Sequence, residues 1–221
     1  MIQIDSTLRK QLPQLRLGVI AYQNCMITRS PQMFRGRFNL FQEQIRLQYQ
    51  GKEISEVPPI ASWRQAFRQL GVSPSRYRPS AEALLRRVIK GQRISEINSG
   101  VDVNNLFSLQ HLLPIGIYDQ NHIEGSIICG IGDENEAFEA LNGRQVSMNG
   151  KLLLRDARGP FGSPYVDSQR TAVTEETTNC LQVIFIIQNE HSPDIMPLLQ
   201  EISSLFIQIN GGETAEMKVI S

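Results

Sequence analysis

The stretch VDVNNLFSLQHLLPIGIYD, Val101 to Asp119, sets two kinds of secondary structure side by side. Apolar spacing through Leu106 and Leu109 predicts a helix, and it places Asp102 and Asn105, three residues apart, on one helical face. Pro114 cannot continue that helix, because proline lacks the amide donor and its ring clashes with the preceding turn. The residues that follow, Ile115 to Asp119, read as a strand beginning near Ile115. A helix handing over at once to a strand predicts a mixed chain of the α/β (α+β) class.

On the N-terminal side, Leu15 to Ile27 is a continuous apolar, β-rich run, followed by helical spacing from Arg35 to Tyr49 through Phe38, Phe41 and Ile45. Lys52 to Ile60 is polar and contains Pro58-Pro59, so it reads as a loop. Trp63, Phe67 and Leu70 then define a short helix ending at Gly71. The segment SPSRYRPS is a turn-rich connector, and Ser80 is the expected N-cap of a helix from Ala81 to Lys90, closed by Gly91.

On the C-terminal side the texture turns to sheet. Short β-type runs, Pro114 to Tyr118, Gly125 to Ile131, Lys151 to Arg155 and Leu181 to Ile187, are separated by Gly, Asn and Asp turns. A helix starting at Ser192-Pro193-Asp194 and stopping at Gly211-Gly212 precedes a closing strand from Ala215 to Ile220. With 221 residues and 41% hydrophobic content, the chain can bury a full core without staples. It reads as one domain, residues 1–221: a mixed sheet flanked by helices, with residues 1–60 an extension packed on it.

Cys25, Cys129 and Cys180 lie far apart in apolar runs with no C-x-x-C pairing, as expected of buried thiols in a reducing compartment. No secretory pattern opens the chain, and Val183 to Ile187 is far too short to span a bilayer. A cytoplasmic location with no membrane partner is expected. The 22 basic residues balance the 22 acidic ones, so there is no strong overall field for nucleic acid. The balance hides an uneven distribution: Arg64, Arg68, Arg76, Arg78, Arg86, Arg87, Lys90 and Arg93 face one acid, Glu82, within thirty residues. Such a cluster is either a solvated face or an RNA-phosphate surface.

Neither a G-x-x-x-x-G-K-[ST] loop nor a G-x-G-x-x-G loop is present, so no nucleotide cofactor is expected. His111, His122 and His191 are too scattered for a metal site, and no G-x-S-x-G elbow suggests an α/β-hydrolase. Two segments are more specific: VDVNNLFSLQHLLPIGIYD, and DSQRTAVTEETTN from Asp167 to Asn179, with ENEAFEALNGR between them. The first resembles a segment of the phenylalanyl-tRNA synthetase β chain that reads V-V-D-x-x-N and then P-x-H-x-F-D. Asp102, Asn105, Pro114, Tyr118 and Asp119 fall in register with it. The second is similar to that family's G-G-x-x-S-x-V-x-x-x-T, with Thr171, Val173 and Thr177 in register.

The resemblance is thus to the B3/B4 tRNA-editing module, over roughly Trp63 to Ile187. It implies a B3/B4-like fold, an amino-acid pocket, tRNA as partner and hydrolysis of a mischarged aminoacyl ester. Asn105 matches a pocket residue of the family. The family histidine becomes Gly116, the glutamate that reads a tyrosine hydroxyl becomes Val183, and the paired glycines become Asp167 and Ser168. The resemblance implies Asp167, Ser168 and Thr171 as catalytic residues, and Asn105, Gly116, Arg170 and Val183 as substrate-binding ones. Asp167 is expected to hold the substrate's ammonium or to orient water, and Arg170 to hold the terminal ribose-phosphate. A small or aliphatic aminoacyl group is expected rather than tyrosine. Two classes remain: a stand-alone deacylase acting in trans, or a non-catalytic RNA- or amino-acid-binding module of the same fold.

Overall fold

The computed structural model describes residues 2–190 and 192–221; His191, one of the three scattered histidines, lies outside them. Two four-stranded sheets pack face to face, with helices covering the outer face of one and the helical residues Leu8, Trp63 and Phe67 joining the core between the sheets. The first is built from β10, β2, β9 and β3 in that order, where β2 is Leu15–Gln23, β3 Ile115–Asp119, β9 Cys180–Ile187 and β10 Glu213–Ile220. All its neighbours run antiparallel. The second holds β1 (Ile2–Ile4), β4 (Ile127–Ile131), β7 (Leu152–Asp156) and β8 (Gly159–Gly162), and a short two-stranded sheet pairs β5 (Ala137–Glu139) with β6 (Gln145–Ser147). Here β1 pairs in parallel with β4, so the first residues of the chain are stitched into the sheet.

Strand β9 organises the interior because both of its faces are covered. Leu181, Val183, Phe185 and Ile187 pack in one core with Leu152, Leu154 and Phe161 of the second sheet. Cys180, Ile184 and Ile186 face the other core, formed with the helices. Each of these apolar side chains stabilises the fold by about 1.5–3 kcal/mol relative to exposure. Gln182 also points to the helical side and is satisfied at both ends: Tyr22 donates to its Oε1 at 2.9 Å, and its Nε2 donates to Asn104 Oδ1 at 3.0 Å. Asn104 Nδ2 in turn donates to the Ile115 carbonyl at 3.0 Å. This buried relay fixes one helix against β3 and β9.

That helix is α5, Ser99–His111, and it hands over to β3 at Ile115 as the periodicity predicts. The N-cap Asn98 accepts the Val101 amide at 2.9 Å. The remaining helices are α1 (Ser6–Gln11), α2 (Gln32–Tyr49), α3 (Pro58–Gln69), α4 (Ser80–Ile89) and α6 (Ile195–Asn210). The three cysteines are buried and unpaired.

Two local expectations are corrected. Pro58-Pro59 is not loop but the opening of α3, where a proline loses no hydrogen bond because the first helical amides have no partner in any case. Ser80 does not cap α4; it is the first helical residue, and its amide donates to the Pro164 carbonyl at 2.8 Å. Asp102 and Asn105 do not share surroundings. Asp102 is buried, taking the Ser30 hydroxyl at 2.6 Å and the Ile97 amide at 3.0 Å, while Asn105 borders a cavity.

Candidate functional site

A cavity of about 560 Å³ lies between α4, α5, β3 and the loop from Tyr165 to Val173. Its size falls among small-molecule sites, which span roughly 300–1,000 Å³. Most of its wall is apolar, including Ile94, Val101, Ile115, Ile117, Val166 and Val173. Ile97 and Leu141 also border it and are 63% and 60% exposed, which leaves apolar side chains open beside the cavity. The polar wall is small and mixed in origin: Asn104, Asn105 and Ser108 come from α5, Tyr118 from β3, and Asp167, Ser168 and Thr171 from the loop. Val101 to Asp119 and Asp167 to Asn179, the two segments singled out in the sequence, therefore meet at one concave place.

The loop is held by its own side chains. Ser163 Oγ donates to the Val166 carbonyl at 2.6 Å and receives the Val166 amide at 3.0 Å. Ser168 Oγ accepts the Arg170 amide at 3.1 Å and opens a short 3₁₀ turn over Gln169–Thr171. Thr177 donates to Asp119 Oδ2 at 2.7 Å, tying the second segment back to the end of β3. Thr171 is only 1% exposed, yet its hydroxyl has no hydrogen-bond partner among the described residues. A buried polar group left unmade costs about 1–3 kcal/mol, and the residue that carries this one borders the cavity.

Asp167 is bonded to Tyr118, whose hydroxyl donates to its Oδ1 at 2.9 Å; the Ser163 amide approaches the same oxygen at 3.2 Å. Burial pushes the Asp167 carboxyl up to about 7, against the opposing pull of those two hydrogen bonds. Tyr118 is itself fully buried, and burial together with the neighbouring carboxyl holds its hydroxyl well above the usual tyrosine range. Room for its ring comes from two glycines. A Cβ at Gly116 would stand 2.0 Å from Tyr118 Oη, and one at Gly162 would stand 2.3 Å from it. Gly116, where the synthetase pattern has a histidine, thus lies beneath the tyrosine rather than along the cavity.

Val183 is likewise not a cavity residue: it lies in the apolar core between the sheets, opposite Gly116 in the strand register. Arg170 also stands elsewhere. Its guanidinium grips Asp156 through two bonds of 2.9 and 3.0 Å and donates to the His122 carbonyl at 2.8 Å, which clamps the loop to β7. Of the sequence-derived candidates, Asn105, Asp167, Ser168 and Thr171 line the cavity; Gly116, Arg170 and Val183 do not.

The basic cluster divides in two. Glu82, fully buried, gathers Arg64 at 3.0 Å, Arg86 at 2.8 Å and Arg78 at 3.5 Å, and the first of these ties α3 to α4. Arg68, Arg76, Arg87, Lys90 and Arg93 are exposed, and among the described residues none of them has a carboxylate partner. Arg87 also borders the cavity. Tyr118 and Asn104 are site residues that sequence reasoning did not assign. The register of Tyr118 with the synthetase pattern was the available signal for the first; nothing local marked the second.

The family model described as the B3/4 domain matches residues 62–193, more than half of the chain. The chain is 28% identical to the "Uncharacterized protein YhzB" of Bacillus subtilis (strain 168), over 96% of its own length and 95% of that protein. It is 27% identical over 97 residues to the phenylalanine–tRNA ligase beta subunit of Fusobacterium nucleatum subsp. nucleatum, covering 43% of this chain but only 12% of that subunit. Among solved structures, an N-terminal fragment of the phenylalanyl-tRNA synthetase beta-subunit from Pyrococcus horikoshii aligns with a TM-score of 0.46 and 14% identity, over all of this chain and half of that one. By the family match, the chain belongs to the B3/4 domain family.

Proposed function

We propose that the protein is a stand-alone aminoacyl-tRNA deacylase that hydrolyses the ester of a mischarged tRNA in trans, in the cytoplasm. The observation that carries this reading is a cavity that presents Asp167 and Asn105 beside Thr171, whose buried hydroxyl has no partner among the described residues. A cavity of this volume accommodates an amino-acid side chain together with part of the terminal adenosine. The reaction needs a water placed against the ester carbonyl, cleavage of the bond to the ribose oxygen, and return of the water's proton to that oxygen. Such chemistry relies on positioning and on hydrogen bonds to the developing oxyanion. Thr171 and Asn105 are the groups for that work, with Ser168 beside them. Arg87, Lys90 and Arg93, free of carboxylates, are placed on and just after α4 to take the phosphates of the tRNA.

The match to a phenylalanine–tRNA ligase beta subunit supports tRNA as the partner class. One observation favours binding without turnover as a second reading: among the described residues no histidine, cysteine or lysine lines the cavity. One assay separates the two. Purified protein is incubated with a panel of aminoacyl-tRNAs, and loss of charge is followed against spontaneous hydrolysis. At least one apolar aminoacyl-tRNA should be discharged, and Thr171→Val should slow this by on the order of 10²-fold, the scale of one lost oxyanion donor. Capture of charged tRNA with no discharge of any member would leave only the binding reading.

A further inference from the structure

Five carboxylates of this fold, Glu82, Asp102, Asp119, Asp156 and Asp167, are withdrawn from bulk water; two have arginines, Asp119 has the Thr177 hydroxyl and the His122 ring, and Asp102 has the Ser30 hydroxyl and the Ile97 amide. Glu82 has three arginines, and Asp156 has the two-pronged grip of Arg170. Asp167 has none: its partners within the protein are the Tyr118 hydroxyl and the Ser163 amide, both on Oδ1. A desolvated carboxylate without a counter-ion is costly and persists only where something else completes it. Asp167 lines the same cavity as Asn105 and as Thr171, whose hydroxyl is unpaired among the described residues. Those three groups offer oxygen acceptors, whereas the neighbouring wall is aliphatic. Arg87 is the cavity's cation, and it is exposed rather than turned to the carboxyl.

We propose that Asp167, held in place by Tyr118, forms with Thr171 and Asn105 a subsite for a primary ammonium group, the free α-amino group of an amino acid whose side chain is apolar. This deepens the reading of the cavity as an aminoacyl site and rests on it. An ammonium carries three donors, which matches a carboxylate, a hydroxyl and an amide oxygen. The low polarity that makes the unpaired carboxylate unfavourable also strengthens its pairing with an arriving cation. Tyr118 is here a positioning residue. Its ring is fixed over Gly116 and Gly162 and against Phe161, edge to face at 5.0 Å, so its hydroxyl meets Asp167 from one direction only. The second carboxylate oxygen is thereby left for the ligand. The aliphatic wall of Ile94, Val101, Ile115 and Val173 would leave a charged side chain without partners, which selects an apolar one.

The test uses the full chain and two probes, L-leucinamide and N-acetyl-L-leucinamide, with affinities measured by calorimetry near pH 7. Acetylation removes the positive charge and keeps the side chain. Leucinamide should bind on the order of 10- to 100-fold more tightly, the range of a charge-assisted hydrogen bond. Asp167→Asn should erase that preference, and Tyr118→Phe should reduce it while leaving the affinity for the acetylated probe unchanged. Equal binding of the two probes by the unaltered protein, or no binding of leucinamide at millimolar concentration, overturns the proposal without recourse to any variant. A preference that survives Asp167→Asn overturns it as well. If leucinamide is preferred but no charged tRNA is discharged, the ammonium subsite stands and hydrolysis falls. Discharge of tRNA with equal probe binding has the opposite meaning.

Discussion

Replacing Asp167 by asparagine keeps the shape of the side chain and its acceptor for the Tyr118 hydroxyl, but removes the ionisation. In the folded protein the carboxyl is pushed from 3.8 up to about 7, chiefly by burial. Because the folded value lies above the unfolded one, the folded state keeps the proton longer. The stability this group contributes is therefore complete below about pH 4, declines as pH rises toward 7, and is level beyond. At about 1.4 kcal/mol per pH unit the whole span amounts to roughly 4 kcal/mol, and the portion between pH 5 and pH 8 to roughly 2.5 kcal/mol. These are upper figures, since water entering the cavity would soften the burial. Urea unfolding followed by the fluorescence of Trp63, the single and buried tryptophan, measures both proteins across that range. The stability difference should move in favour of Asp167→Asn as pH rises. Parallel pH profiles for the two proteins would refute the reasoning, because they would mean that Asp167 titrates alike in both states.

Other perturbations separate structure from site. Glu82→Gln leaves three arginines around a neutral side chain and should destabilise the fold by about 3–5 kcal/mol, read from the urea midpoint. Gly116→Ala forces a Cβ against Tyr118 in a fully packed place and should cost about 1–3 kcal/mol by the same measurement. For nucleic acid, neutralising Arg87, Lys90 and Arg93 should lower the magnitude of the salt slope of tRNA binding by about one unit per lost phosphate contact. If that slope is unchanged, these residues form only a solvated face.

How far the sequence could be read differs between the fold and the site. The helix-to-strand passage at Pro114 and the apolar period of α6 were legible, because periodicity reports which side of an element is buried. Helix α3 was read short at its start, since Pro58-Pro59 signals a turn as strongly as a first helical turn. Strand β9 shows why Val183 was misplaced. A strand covered on both faces carries no alternation, so nothing in it says which residues face the helices and which face the second sheet. The charge count over Arg64 to Arg93 could not tell that the lone acid, Glu82, is buried and consumes three of the arginines. The pairing of Tyr118 with Asp167 spans forty-nine residues and depends on two glycines that only the folded sheet brings beneath one ring.

The central claim, that this cavity receives the aminoacyl end of a tRNA, is tested most directly by a non-hydrolysable mimic. Methyl-labelled protein is titrated with 3′-leucylamino-3′-deoxyadenosine while the isoleucine, leucine and valine methyl signals are recorded by NMR. The account predicts saturable shifts at Ile94, Ile97, Val101, Ile115, Ile117 and Leu141, which line the cavity, with Val183 and Phe185 between the sheets serving as the quiet core whose valine methyl does not move. No shift at the cavity methyls at millimolar ligand, or shifts confined to residues elsewhere, would contradict it.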